Sequence, residues 1–309
     1  MIPIRPGTSA SLLLEIATSK QVYDAAETLQ IAGTLSNNGV PVSDALVLLQ
    51  IDNPKNNMWV IRTLTTGQSP TGPFPVEVLN VTTTDSNGRP KDLFNRGEDA
   101  GFKVAIQNNA GSPYDVCVTV NLFYCTGVPF NLFTIYNGTL GTGGPVVASM
   151  WPITIPATAS AGQASAHVSI FSSLANGTGI AYAPERTGTF RIVGGGSSYV
   201  PPETESGTIN FAMPLLTLNP WIGNYSIFAR THYGPMIASG SITFELRLAG
   251  DVNRDGRIDM KDVAIVAKPF GTRPGDALWN SAADINQDNK VDMKDISVVA
   301  KEFGMTPNP

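Results

Sequence analysis

Aspartate recurs at short, regular intervals in two segments near the end of this chain. DVNRDGRIDMKDVAIVAKPFG (251–271) and DINQDNKVDMKDISVVAKEFG (284–304) align without gaps at an offset of 33 residues, with 12 of 21 positions identical and most of the rest conservative. Within each segment the first 12 residues carry oxygen-bearing side chains at positions 1, 3, 5, 9 and 12. Calcium takes six to eight hard oxygen ligands at ~2.3–2.6 Å inside a tight loop of this length. Positions 1, 3, 5 and 12 supply side chains: Asp251, Asn253, Asp255 and Asp262 in the first loop, Asp284, Asn286, Asp288 and Asp295 in the second. Position 7 offers a backbone carbonyl, from Arg257 and Lys290, and position 9, Asp259 and Asp292, acts through a water. The expected cofactor is two Ca²⁺ ions. Magnesium suits the pattern less, because it keeps its waters and demands a tighter octahedron.

Position 6 needs a positive φ. Gly256 adopts that without strain, and Asn289 is the next most tolerant type. Position 8, Ile258 and Val291, is apolar and is expected to pack the two loops together. Behind each loop the apolar spacing predicts a short amphipathic helix: Val263, Val266, Ala267 and Phe270, then Ile296, Val299, Ala300 and Phe303. Gly271 and Gly304 are expected to stop these helices, and Trp279 in the linker is a candidate core anchor.

No comparable chemistry stands out elsewhere. The two histidines, His167 and His232, are not near a Ser or Cys motif with recognisable nucleophile spacing. There is no H-E-x-x-H, G-x-S-x-G or P-loop, and no pair of carboxylates that could be nominated for glycoside hydrolysis. The expectation is a protein that is not an enzyme.

The elements that carry the loops are β-rich. The chain has 309 residues, net charge −5, 42% hydrophobic and 15% charged residues, with 30 Gly and 23 Pro. That length suits two or three domains, and the hydrophobic fraction is sufficient for buried cores. The charge is uneven: the last 60 residues hold 18 of the 45 charged residues. Nothing gives the basic footprint of a nucleic-acid binder, and no apolar run reaches the ~18 residues of a membrane span. Residues Met1 to Ser11 show no signal-peptide pattern.

Alternating or apolar runs separated by Gly, Pro, Asn and Asp predict strands at 11–17, 28–35, 45–51 and 58–64, then at 76–82, 101–108, 115–124, 130–140, 146–155, 164–171 and 187–193, and finally at 208–215, 224–233 and 241–248. The middle seven suffice for one immunoglobulin-like sandwich, and the outer four and three together make another seven. The expected fold is therefore multidomain and mainly β. One discontinuous sandwich (1–72 and 200–249) carries a second sandwich inserted at 75–195, and a small α-helical calcium-binding module follows at 250–309. A linear array is the rival arrangement. Insertion at Gly/Pro-rich loop tips is the tolerated kind. Cys117 and Cys125, if on one continuous strand, stand more than about 20 Å apart, too far for a disulfide. Four glycosylation sequons, at Asn80, Asn137, Asn176 and Asn224, are no more than this composition gives by chance.

Two resemblances sharpen this. SKQVYDAAETLQIAGTLSNNGVPVSDALVLLQIDNP (19–54) and IGNYSIFARTHY (222–233) followed by SITFEL resemble the opening and closing strands of a macroglobulin-type (MG2-like) domain, which implies a tyrosine at a sheet corner, here Tyr225. The reactive Cys-Gly-Glu-Gln of protease-trapping macroglobulins does not occur here. The duplicated EF-hand-type loop with one trailing helix, and Asp rather than Glu at position 12, resembles the type I dockerin pattern. That resemblance implies a cohesin-like partner contacting loop positions 10 and 11: Met260 and Lys261, Met293 and Lys294. Many family members carry Ser-Thr or similar there.

The resulting expectation is an extracellular or cell-surface protein whose sandwiches act as spacer or adhesion modules while the calcium-loaded module docks to a partner. Two alternatives stand beside it. One is a self-assembling filament or lattice subunit, with neighbouring copies as partners and the segment Thr8–Thr18 as donated strand. The other is a carbohydrate-binding module resting on the scattered Trp59, Trp151, Trp221 and Trp279.

Overall fold

The computed structural model describes residues 11–25, 27–67, 70–172, 179–194, 207–215 and 221–306. The Asn176 sequon, Thr8 to Ala10, and residues 195–206 of the second junction lie outside these. The chain is mainly β, in four sheets, with a small helical C-terminal region.

The first two sheets share one core. One contains β1 (Leu12–Thr18), β3 (Thr28–Asn37) and β15 (Thr208–Pro214), with β4 (Val40–Pro41) paired to β3. The other runs in the order β2 (Val22–Asp24), β17 (Met236–Arg247), β16 (Gly223–Tyr233), β5 (Leu46–Asp52), β6 (Met58–Thr65). Strict alternation in β15 and β16 sends Ile209, Phe211, Met213, Tyr225, Ile227 and Ala229 inward. There they meet Leu29, Ile31 and Leu35 of β3 and Val47, Leu49 and Ile51 of β5. Strands from after residue 207 thus pair with strands from before residue 66: β15 with β3, β16 with β5, and β17 with β2. Tyr225 is fully buried and its hydroxyl donates to the Trp221 carbonyl four residues back (2.9 Å), the corner geometry its Gly-x-Tyr context implied.

The intervening residues build a second core. A sheet of β12 (Val146–Thr154), β9 (Asp99–Asn108) and β7 (Val76–Thr84) pairs in that order. A second sheet runs β11 (Pro129–Leu140), β10 (Tyr114–Phe123), β13 (Gly162–Phe171), β14 (Arg186–Ile192), β8 (Leu93–Phe94). Phe94, Phe102 and Phe190 meet edge to face at its centre. Cys117 and Cys125 are both buried and both free.

Two strands are buried on both faces, and they mark where the cores abut. In β5, Leu46 and Leu48 point away from the first core; in β10, Cys117 points away from the second. Together with Ile61 and Phe171 they form a small apolar cluster of their own. β6 would otherwise leave its edge unpaired against this surface. The buried Asn121 of β10 prevents that: its carbonyl oxygen accepts from the Ile61 N–H (3.1 Å) while its amide donates to the Asn131 carbonyl (3.0 Å). One residue further along, Arg62 binds Glu185 through two parallel bonds of 2.8 Å. The Thr63 N–H also points at that carboxylate (3.3 Å).

Segment Thr8–Thr18 departs from the donated-strand expectation. Its residues 12–18 already pair antiparallel with β3 of the same chain, Leu12 opposite Asn37 through Thr18 opposite Ile31. The ladder that a neighbour would supply is made internally.

Burial pushes the Glu185 carboxyl up, but the charges of Arg62 and His167 and their hydrogen bonds outweigh it and hold it at about 2, against an ordinary 4.5. The unfolded chain therefore binds the proton first as pH falls. This group's stabilisation is full above pH 4.5 and disappears as pH drops through that window toward 2. Arg62→Met leaves a buried carboxylate without its main partner and should cost roughly 3–5 kcal/mol. Urea unfolding at pH 7 measures that loss, and Glu185→Gln should flatten the acid limb of the melting temperature.

Candidate metal centre

Both acidic segments fold as tight loops that run into short helices. The first loop leads to α1 (Met260–Ala267) and the second to α2 (Met293–Lys301). Position 9 is the helix N-cap in each: Asp259 and Asp292 accept the N–H of Lys261 (2.7 Å) and Lys294 (2.8 Å). Position 12 completes the capping box, with Asp262 accepting from the Asp259 N–H (3.0 Å) and Asp295 from the Asp292 N–H (2.8 Å).

Backbone N–H groups turned inward hold the other carboxylates. Asp251 accepts from the N–H groups of Asp255 (3.1 Å) and Gly256 (2.9 Å); Asp284 accepts from Asp288 (3.1 Å) and Asn289 (3.0 Å). The side-chain oxygens of Asn253 and Asn286 receive the same position-5 N–H groups at 2.8 and 2.9 Å. Asp262 and Asp295 have no exposed surface, and each takes a further N–H across its loop, from Asn253 (3.1 Å) and from Ile285 (2.8 Å). Position 6 has positive φ as expected, 80° at Gly256 and 63° at Asn289. Position 4 does too, 59° at both Arg254 and Gln287. Neither residue type announces that conformation; only the coiling of the loop requires it.

The donor set is one that a hard cation would select: carboxylate, amide and backbone oxygens, with no nitrogen or sulfur. Among the described residues no three His, Cys, Asp or Glu side chains converge closely enough to hold a metal by themselves. The Asn side chains and the Arg257 and Lys290 carbonyls add further oxygens to each loop. The fit thus rests on the mixed oxygen set and on two buried carboxylates kept in place by N–H donors.

The lysines at position 11 do something unforeseen. Lys261 reaches back to Asp255 (3.2 Å) and Lys294 to Asp288 (2.9 Å). These contacts hold both carboxyls below the usual range, with the lysine hydrogen bond as the leading cause. The neighbouring Met260 and Met293 are 66% and 63% exposed.

Three further expectations change. Ile258 and Val291 are buried but do not link loop to loop. Ile258 exchanges hydrogen bonds with Gly304 and Met305 beyond α2, and Val291 with Gly271 and Thr272 beyond α1, so each loop is tied to the exit of the other helix. The apolar stripe is shorter than its periodicity. Val266 and Val299 are buried and Val263 and Ile296 partly so, but Ala267 and Ala300 are exposed. Phe270 and Phe303 lie past the helix ends, about half exposed, because the chain has already turned toward Gly271 and Gly304. Trp279 does pack against the core.

The third change concerns His167. A strand has period two, so Ser165 and His167 share a face of β13. The Ser165 hydroxyl lies 2.9 Å from His167 Nε2, and Nδ1 lies 2.6 Å from Glu185. These are the contacts of a Ser-His-carboxylate relay, missed because the pattern is local to a strand and its carboxylate comes 18 residues later. Arg62 occupies both Glu185 oxygens, and Ser165 sits in a central strand between Phe123 and Thr189.

The helical module is mounted on the first sandwich. Its Ile258, Val266, Val291 and Val299 belong to the same apolar cluster as that sandwich's core. At the junction, buried Glu302 accepts the Gly250 N–H (2.7 Å), and Arg247 pairs with Asp24 (2.8 Å).

The fold and these loops define a module of paired EF-hand-type loops riding on β-sandwiches. Residues 249–304 match the model of the Dockerin type I domain, and the C-terminus is a dockerin of that type. Dockerin type I domains typically bind calcium. No curated protein matches the sequence. Among solved structures, the CARDB domain of the PF1109 protein from Pyrococcus furiosus is 16% identical over 41% of this chain and 95% of that one, with a TM-score of 0.25. Alkylpurine DNA glycosylase AlkC of Pseudomonas fluorescens is 18% identical over 38% of this chain and 30% of that one (TM-score 0.29). α2-Macroglobulin of Escherichia coli is 10% identical over 79% of this chain and 23% of that one (TM-score 0.22). These are weak likenesses of fold and carry no functional argument.

Burial pushes the Glu302 carboxyl up and the charge of Asp24 adds to that; the Gly250 and Ala25 N–H groups and Arg247 pull it back, leaving it at about 7 against an ordinary 4.5. The folded module keeps a proton that the unfolded chain has already lost, so its stability falls as pH rises from 4.5 to 7. Calorimetry at saturating calcium should show the module's melting temperature dropping across that window, and Glu302→Gln should remove the dependence.

Proposed function

We propose that this is a non-catalytic, extracellular or cell-surface protein that is docked through its dockerin module. The single observation that carries this reading is the matched geometry of the two loops, repeated down to individual N–H donors and positive-φ positions. In each loop one Ca²⁺ would be held by positions 1, 3, 5, 7, 9 and 12: Asp251, Asn253, Asp255, Arg257, Asp259 and Asp262, then Asp284, Asn286, Asp288, Lys290, Asp292 and Asp295. Bound calcium would offset the four carboxylates of each loop, which the loop's own arginines and lysines balance only in part. The chain's own contribution is to hold the carboxylates in place before the ion arrives and to launch each helix from the same residues. The partner face would be centred on the exposed Met260 and Met293, with Lys261 and Lys294 beside them, and would receive a cohesin-like module.

The domain reading is a discontinuous sandwich (1–72 and 200–249), an inserted sandwich (75–195) and the dockerin module (250–309). It is supported by the two separate cores and by the pairing of β15 and β16 with β3 and β5. The sandwiches would space and orient the docked assembly.

Calorimetric titration should find two calcium sites, with Asp262→Ala weakening one of them by at least about tenfold. Because the module shares a core with the first sandwich, chelation should unfold residues 250–304 and also lower the melting temperature of that sandwich, leaving the second unchanged. Calcium-dependent capture by an immobilised cohesin, lost in the Met260→Asp/Met293→Asp double variant, tests the docking face. Calcium-dependent self-association seen by light scattering, with no cohesin capture, would favour the assembly of neighbouring copies.

A further inference from the structure

We propose that the cleft between the two sandwiches is a binding site for a neutral saccharide unit. The cleft encloses about 340 Å³, within the ~300–1,000 Å³ of small-molecule sites, and it lies between two packed units, where such sites concentrate. Its walls are of two kinds. Just past β10, half-buried Tyr124 supplies an aromatic ring, braced by stacking on Phe130 with 4.3 Å between centroids, while Phe123 of β10 and Phe211 of β15 are buried in the floor with the Arg62 guanidinium over both rings. The outer face of β13 and β14 supplies uncharged polar groups. Ser165 stands opposite Thr189 and His167 opposite Thr187, with Gln163 one step further along the same face.

The charges decide the ligand class. An anion would need an unspent cation in the cleft wall, but Arg62 is committed to Glu185 through two bonds, and Arg191, opposite Gln163 on the same sheet face, stands outside the lining. A cation would need an unspent carboxylate, and Glu185 already faces Arg62, His167 and the Thr63 N–H. A wholly apolar ligand would strand the hydroxyl and amide groups of the polar wall, at a cost for each one desolvated. Gln163 and Thr189 are exposed, and among the described residues their side chains have no hydrogen-bond partner. What remains is a molecule with an apolar face for the Tyr124 ring and a rim of neutral hydroxyls for the amide and threonines. A pyranose ring has both. The Ser165–His167–Glu185 relay then reads as a positioning device that fixes the polar wall, and Ala212, small at the cleft's edge, leaves room for the ring.

The test is saturation-transfer NMR and calorimetric titration of the full chain with glucose, galactose, N-acetylglucosamine and cellobiose, with inorganic phosphate as the charged comparison. At least one sugar should bind saturably, and the Gln163→Ala/Thr189→Val variant, melting like the parent, should bind it about tenfold more weakly. Failure of every sugar to bind the folded protein, binding unchanged in that variant, or binding of phosphate displaced by no sugar would each overturn the proposal. Calcium does not enter the experiment, so its outcome is independent of the dockerin reading.

Discussion

The ladder between β5 and β16 is the constraint on which the rest of the molecule depends. Its partners lie far apart in sequence, Val47 opposite Thr231 and Asp52 opposite Ser226, and the Thr231 hydroxyl adds a buried bond to the Leu46 carbonyl. Until that ladder forms, β5 has only β6 beside it and the first core lacks Tyr225 and Ile227. Once it forms, β16 brings β17, which carries the dockerin module. Loop-closure entropy for such a contact must be met before its burial is rewarded, so folding of the first sandwich waits on the intervening residues. The continuous burial of β5 follows from the same position: one face serves its own sandwich and the other meets β10.

Charge is segregated according to what each region must bury. The β body has few charged residues, and its deeply placed pair, Arg62 with Glu185, lies where the two units meet and is joined by two hydrogen bonds. A buried pair of this kind is weak evidence for stability but fixes relative orientation, because its geometry is satisfied in one docking arrangement. The dockerin module is built the other way. Carboxylates crowd into two loops, and helix caps, inward N–H groups and the position-11 lysines hold them in place.

Much of this was legible in the sequence because period and punctuation are local. Each alternating run became a strand. The strands that escaped, β2, β4 and β8, are two or three residues long. Their pairing is set by neighbours rather than by a pattern of their own. The loops were legible because ligand spacing is a strong constraint. Their left-handed position 4 was not, since Arg254 and Gln287 carry no mark of it. Phe270 and Phe303 misled because a helical period continues on paper after the helix has ended. The relay at His167 was hidden for the opposite reason: two of its members are adjacent on one strand face and the third is delivered by the fold.

The two dockerin repeats differ most at one position, Pro269 in the first and Glu302 in the second, and that difference has a structural counterpart. Glu302 is the residue that binds Gly250 and faces Arg247 and Asp24, so it seats the end of α2 against the first sandwich. The mount is therefore asymmetric. The proposed partner face is not, because Met260 and Met293 are almost equally exposed, as are Phe270 and Phe303 at 49% and 51%. Two near-equivalent faces on one fixed mount mean that a partner bound through the first repeat and one bound through the second would point in different directions relative to the β body. The choice between them would then be made by what surrounds the protein, not by the affinity of either repeat.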